Sequence, residues 1–111
     1  MKRILLCITT VIFIASASIA AGGAKDNEYA QGKTIYQQNC QMCHGANGKG
    51  DGPLAATLMN MPANLTSPKI LKNDPKKLIE NTIKLGYRTM PPIDLSEDQI
   101  SEVIDYILNT F

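Results

Sequence analysis

The sequence predicts an all-α fold in a single domain, and three observations support this prediction. Apolar residues recur at helical spacing in several segments, and two of those segments begin with residues that typically cap helices. Strand-like alternation of apolar and polar residues is nearly absent. The residues that follow the apolar N-terminal segment are too few for two domains of ordinary size.

The N-terminal segment has the organisation of a secretory signal. Lys2 and Arg3 precede an apolar run over residues 4–14, and small residues dominate positions 15–22. A charged region, an apolar region and a cleavage site with small residues are typical of a signal peptide. We therefore predict a signal peptide over residues 1–20, cleavage at its end, and export of the mature chain to the periplasm.

An uncleaved membrane anchor is the alternative interpretation of this segment. The apolar stretch over residues 4–21 is at the lower limit of the length that spans a bilayer, and it contains four Ser or Thr residues. Cleavage would leave no membrane span in the mature chain. The mature chain then begins with a flexible lead over residues 21–26, followed by one domain over residues 27–111.

The first half of the domain predicts one long helix followed by less regular structure. A helix is expected over residues 27–41, with these residues on neighbouring faces at helical spacing: Gly32, Ile35, Tyr36 and Cys40. A short helix or turn is expected over residues 54–60. The prolines within residues 61–68 indicate an irregular loop.

The second half predicts two helices with clear start residues. Asp74 is placed to cap the first of them, Pro75 occupies its first position and Gly86 ends it. The last helix begins at a capping box formed by Ser96 and Gln99, where Leu95 and Ile100 make a hydrophobic staple. The apolar positions of the two helices are Leu78, Ile79, Ile83 and Leu85, and then Ile100, Val103, Ile104, Ile107 and Leu108.

Two cysteines and a histidine in close succession provide the candidate site. Cys40 and Cys43 are separated by two residues, and His44 follows directly. This pattern is typical of covalent c-type haem attachment. In that interpretation both sulfurs form thioethers with the haem vinyl groups, and His44 is the fifth iron ligand. We predict one haem c, with its iron, at these residues.

Two other interpretations of the cysteine pair are weaker. A structural zinc site needs four ligands, and outside the signal segment the chain has only these two cysteines and one histidine. A thioredoxin-like dithiol belongs to a context of strand followed by helix. Here the pair closes a predicted helix and precedes the glycine-rich residues 45–52. A dithiol oxidoreductase would be identified by free thiols and the absence of haem absorbance.

The sixth iron ligand is expected to be a methionine. A single histidine excludes ligation by two imidazoles, which leaves methionine, lysine or an open position. Met61 and Met90 each precede a proline. Met90 lies farther along the chain, between two clearly delimited helices, and Pro91 and Pro92 stiffen its segment. We predict Met90 as the ligand and retain Met61 as the alternative.

Composition and charge add two expectations. The chain has no Trp and two Phe, so its core is small, and a haem would supply the missing apolar mass. We therefore expect the haem-free chain to be unfolded or molten. The 11 basic and 10 acidic residues form no nucleic-acid footprint. Lys76 and Lys77 in the first turn of a helix oppose its dipole, which an acidic partner protein would explain.

These residues together resemble the class I cytochromes c, over essentially the whole mature domain. The shared pattern is Gly32-x-x-x-Tyr36-x-x-x-Cys40-x-x-Cys43-His44-Gly45, then Gly52-Pro53, Met90-Pro91 and Val103-x-x-Tyr106. The resemblance implies an all-α fold wrapped around one covalently bound haem, with the first and last helices crossing closely at the glycine. It also implies that Met90 is the axial ligand and that the Pro53 carbonyl accepts the imidazole N–H of His44.

The function implied by this resemblance is single-electron transfer. Iron held by histidine and methionine has no position for substrate, so we expect an electron carrier and not an enzyme. Redox partner proteins, a donor and an acceptor of electrons, would bind in brief encounters. Two alternatives remain: the haem-bearing subunit of a larger periplasmic oxidoreductase, and a haem enzyme or gas sensor with an open distal site.

Overall fold

The computed structural model describes residues 28–111, and in these residues the all-α prediction is confirmed. Five α-helices and one 3₁₀ turn form the domain, and no strand is present within this range, where one isolated bridge joins Tyr87 and Met90. The helices are α1 (Ala30–Asn39), α2 (Gln41–His44), α3 (Pro68–Leu71), α4 (Pro75–Leu85) and α5 (Glu97–Thr110), and the 3₁₀ turn is Ala55–Thr57. The predicted signal peptide, the lead and Asn27 lie outside the described residues.

The long first helix of the sequence prediction is divided at Cys40. This residue adopts φ −119° and ψ −37°, which separates α1 from the short α2. The backbone hydrogen bonds nevertheless continue across the break, since the Cys40 N–H donates to the Tyr36 carbonyl at 2.8 Å and the His44 N–H to the Cys40 carbonyl at 2.9 Å. Helical structure therefore reaches His44, three residues beyond the predicted end.

The core lies where α1 crosses α5. A Cβ atom at Gly32 would lie 2.7 Å from the Cβ of Tyr106 and would collide with the carbonyl oxygen of Glu102, so the two backbones are nearly in contact. Tyr36 and Val103 are the most deeply buried side chains beside this crossing. The predicted crossing is confirmed. The buried core residues are Ile35, Tyr36, Leu65, Ile79, Ile83, Ile100, Val103, Ile104, Tyr106 and Ile107.

The predicted ends of the last two helices are confirmed. The Asp74 carboxylate accepts the Lys77 N–H at 3.2 Å, and Gly86 follows α4 with φ 74°. Ser96 and Gln99 form the reciprocal capping box that precedes α5. The short α3 adds to the predicted elements, since the predicted loop over residues 61–68 overlaps it only at Pro68 and the sequence predicted no element for residues 69–71.

Ion pairs join α4 to α5 and change the interpretation of the lysines. Lys76 Nζ lies 2.8 Å from Asp105 Oδ1, and Lys84 Nζ lies 2.7 Å from Glu80 Oε1 and 2.8 Å from Glu97 Oε2. The position of Lys76 in the first turn of α4 is thus explained within the chain. The acidic partner protein that the sequence suggested is not needed to explain it. These exposed pairs each contribute little to stability.

No helix among residues 28–111 has both the length and the apolar character needed to cross a bilayer.

We predict that Gly32→Ala destabilises the protein by about 2 kcal/mol net. The added methyl would collide with main-chain atoms and force the α1 and α5 backbones apart, at a cost near the upper end of the range for overpacking, about 3 kcal/mol. The gain of about 1 kcal/mol that alanine brings in helix propensity offsets part of this cost. Chemical denaturation followed by circular dichroism measures the difference. The exposed neighbour Lys33 supplies the control, since Lys33→Ala should change stability by less than about 0.5 kcal/mol. Equal stability of the two variants would contradict the close helix crossing.

Candidate functional site

One turn of backbone carries both cysteines and the histidine. The N–H groups of Cys43 and His44 donate to the Cys40 carbonyl at 3.2 and 2.9 Å. Both thiols are free and half-buried. Gly45, in the left-handed region at φ 83°, ends α2 and donates its N–H to Gln41. Two sulfurs and one imidazole are therefore presented within a single turn.

The imidazole of His44 is oriented by a main-chain oxygen. Its Nδ1 lies 2.9 Å from the carbonyl oxygen of Ala63. A carbonyl oxygen can only accept, so Nδ1 must carry a proton, and in the neutral imidazole Nε2 then keeps its lone pair. The histidine is thus held in the tautomer that ligates metal through Nε2.

This hydrogen bond corrects the expectation that the Pro53 carbonyl accepts from His44. The segment around Pro53 is tied to the start of α2, where the Leu54 N–H donates to the Met42 carbonyl at 2.9 Å. The acceptor is Ala63, ten residues later in the chain. Sequence reasoning missed Ala63 because a main-chain oxygen acts, and the side chain at that position gives no signal.

The buried tyrosine of α1 links the helix crossing to the site. The Tyr36 hydroxyl donates to the Gly45 carbonyl at 2.7 Å. Burial raises the pKa of Tyr36, so the hydroxyl stays protonated and remains a donor. The residue directly after His44 is therefore anchored to the core.

The electrostatics of Cys40 disfavour a redox dithiol. Burial, with a smaller contribution from the neighbouring Cys43, raises the pKa of the Cys40 thiol to about 11. Catalytic dithiols depend on a lowered thiol pKa, because the thiolate is the reactive species. A protonated, half-buried thiol at neutral pH is poorly suited to disulfide exchange.

Met90 lies in a tight turn against the core. The Met90 N–H donates to the Tyr87 carbonyl at 2.9 Å, and the Tyr87 N–H donates to the Met90 carbonyl at 3.0 Å. Arg88, within this turn, adopts φ 55°, and its guanidinium lies 5.3 Å from the centre of the Tyr87 ring. The Met90 side chain is half-buried and packs against the core cluster.

The competing methionines lie in more exposed positions. Met61 is 72% exposed and Met59 is 95% exposed. Neither belongs to the core cluster or to the side chains packed against it. Among the methionines of the described residues, Met90 is the one that the fold holds in a packed position.

The domain also exposes large apolar side chains that a prosthetic group could cover. Several large apolar side chains other than methionine are exposed, namely Leu54, Leu71, Leu78, Leu85 and Tyr87. Small soluble domains rarely leave extensive apolar surface uncovered without a ligand or partner. Two free thiols, an imidazole nitrogen with an available lone pair, and this apolar surface fit the chemistry of haem c.

Comparisons with known proteins agree with this geometry. The family model described as Cytochrome c matches residues 29–111. A solved structure, the reducing HAO-like protein complex of Kuenenia stuttgartiensis, contains a similar chain with 28% sequence identity and a TM-score of 0.58. The alignment covers 73% of this chain and 41% of that chain, so this chain corresponds to about two fifths of the matched chain. No protein with a curated description matches.

The family match spans most of the sequence, and the all-α architecture with its cysteine–histidine turn agrees with it. The chain belongs to the cytochrome c family.

Proposed function

We propose that this chain is an exported monohaem c-type cytochrome that carries single electrons between partner proteins. The observation that carries the proposal is the Nδ1 hydrogen bond of His44 to Ala63, which leaves Nε2 free on the turn that bears both thiols. Membership of the cytochrome c family supports covalently bound haem c with iron as the cofactor.

Four side chains would hold the cofactor. Cys40 and Cys43 would attach it through thioethers, and His44 Nε2 and the Met90 sulfur would ligate the iron. Haem c supplies an iron that alternates between ferric and ferrous states, at a potential that methionine ligation raises. The hydrogen bond from His44 to Ala63 would fix the ring plane and increase the basicity of Nε2.

The support for Met90 over Met61 is the packing of the two side chains. Reciprocal hydrogen bonds with Tyr87 fix the Met90 backbone, and the Ile93 N–H anchors the following segment by donating to the Ile83 carbonyl at 2.9 Å. Held in this way, the sulfur of Met90 loses little conformational freedom on ligation. Ligation by Met61 would restrict a side chain that is otherwise exposed, at a larger cost in conformational entropy.

Electron transfer without catalysis follows from this ligand set. With His44 and Met90 on the iron, no position is left for substrate, and we assign no catalytic residue. Donor and acceptor proteins would bind through small, transient interfaces, as is usual for electron-transfer encounters. Export by a signal peptide over residues 1–20, a lead over 21–26 and a periplasmic domain over 27–111 complete the proposal. We propose neither a nucleic-acid partner nor a membrane span in the mature chain.

A second candidate is that the domain serves as the haem-bearing subunit of a larger periplasmic oxidoreductase. The similarity to a chain of the HAO-like complex favours it, because that chain is more than twice as long as the aligned region. Size-exclusion chromatography of native extract, followed by haem absorbance, distinguishes the candidates. A free carrier should elute near the size of the mature chain, and a subunit should elute with partner chains.

We predict that the purified exported protein contains covalent haem. The mass of the denatured protein should exceed that of the mature polypeptide by one haem, and its pyridine haemochrome spectrum should be of the c type. Replacing Cys40 and Cys43 together by alanine should allow acid–acetone to extract all the haem. Met42→Leu, between the two cysteines, is the matched control and should retain it. A colourless wild-type protein with two reactive thiols would contradict the proposed function.

We predict that Met90→Ala removes the sulfur-to-iron charge-transfer band and lowers the reduction potential by on the order of 0.1 V, within the range of about 0.8 V that axial ligands set. Met61→Ala is the matched control and should leave both unchanged. Absorption spectroscopy and potentiometric titration give the two readouts. If Met61→Ala removes the band and lowers the potential while Met90→Ala does not, Met61 is the ligand. If neither variant changes the spin state of the iron, an open distal site is favoured.

A further inference from the structure

We propose that Gly50 is a positioning residue for the axial histidine. On one side its main chain is hydrogen-bonded to the His44 carbonyl. On the other side it lies against the segment that carries the Ala63 oxygen, the acceptor of the His44 imidazole. The inference rests on the proposed function, because it concerns the imidazole that would ligate the iron. It assigns to one glycine of the loop over residues 45–52 a role that goes beyond turning the chain.

The first contact is a hydrogen bond to the histidine backbone. The Gly50 N–H donates to the His44 carbonyl at 2.8 Å. The loop over residues 45–52 is therefore hydrogen-bonded back to His44, the residue that precedes it. Any displacement of Gly50 acts directly on the main chain that carries the imidazole.

The second contact is with residues 62–65, the acceptor segment, which carries the Ala63 carbonyl. A Cβ atom at Gly50 would lie 3.3 Å from the Pro62 carbonyl carbon, 3.4 Å from the Ala63 carbonyl oxygen, and closer still to the Pro62 carbonyl oxygen. The Ala63 oxygen is the same atom that accepts the Nδ1 proton of His44. These neighbours are main-chain atoms, so no side-chain rotation can make room. Gly50 also adopts φ 81°, where other residues are disfavoured.

The acceptor segment cannot easily yield, because its far end is fixed. The Leu65 N–H donates to the Gly48 carbonyl at 2.7 Å, and the Leu65 side chain is buried in the core. The Asn64 Oδ1 accepts from both the N–H and the hydroxyl of Thr66, at 2.9 and 2.7 Å. With that segment fixed, a side chain at position 50 displaces the Gly50 main chain, and with it the hydrogen-bonded His44 main chain, away from Ala63. That movement lengthens the hydrogen bond to Nδ1.

The consequence for the iron follows from the role of this hydrogen bond. An imidazole that donates its N–H to a carbonyl is a more basic ligand and stabilises the more positive metal state. Weakening the bond should therefore favour ferrous iron and raise the reduction potential. It should also expose the Nδ1 proton to exchange with solvent.

The test compares haem-bound Gly50→Ala with Asn47→Ala and wild type. Asn47 is the control because it is an exposed, uncharged residue of the same loop, and its replacement leaves the hydrogen bond between Gly48 and Leu65 in place. NMR of the ferrous proteins measures exchange of the His44 Nδ1 proton, and potentiometry measures the reduction potential. We expect exchange to accelerate by about tenfold in Gly50→Ala, the factor typical of losing one neutral hydrogen bond. The potential of Gly50→Ala should rise above that of Asn47→Ala.

Equal exchange rates and equal potentials in the two variants would overturn the inference. Gly50→Asn provides a second variant, because asparagine tolerates positive φ and so separates the added Cβ from backbone strain. It should reproduce the Gly50→Ala effects.

A measurement on wild type needs no variant. The Gly50 amide and the His44 Nδ1 proton should exchange with protection factors that agree within about threefold, because both are released by the same local opening. Protection factors that differ by more than about tenfold would show that the two groups open independently and would overturn the inference. A wild-type protein without haem would instead contradict the proposed function itself.

Discussion

The structure depends on the close crossing of α1 and α5. Gly32 brings the two backbones nearly into contact, and this approach places Tyr36 beside Tyr106, with ring centres 5.6 Å apart. Phe111 completes the packing edge-on, 5.2 Å from the Tyr36 ring. The hydroxyl of Tyr36 then anchors Gly45, the residue after the histidine. The side chain of α1 that packs at the helix crossing, Tyr36, therefore also holds the backbone next to His44.

Main-chain carbonyl groups organise that site more than side chains do. The oxygen of Gly45 accepts from Tyr36, the oxygen of Ala63 accepts from His44, and the oxygen of His44 accepts from Gly50. A carbonyl oxygen can only accept, so the oxygen of Ala63 selects the neutral tautomer of His44 that carries its proton on Nδ1. Such an arrangement would suit the proposed role of His44, which is to keep its geometry while a bound iron changes charge.

The small core is consistent with a prosthetic group that is part of the fold. The buried cluster is centred on α1, α4 and α5, and Leu65 is its member from the long irregular connection. Leu54, Leu71 and Leu78 remain partly exposed on the rest of the domain. Because apolar burial is the main favourable term in folding, a cofactor that covers such side chains would stabilise the domain as well as supply its chemistry.

The sequence by itself determined the helical class, the ends of α4 and α5, and the family. These features depend on local rules, since caps and the Cys40–His44 spacing are each visible within a few residues. The crossing at Gly32 was implied by the resemblance to that family. The tertiary structure decided that Ala63, and not Pro53, holds His44, that Lys76 pairs with Asp105, and that Met90 is packed while Met61 is exposed. Each of these depends on where separate segments meet in space, and a main-chain acceptor leaves no mark in the identity of its side chain.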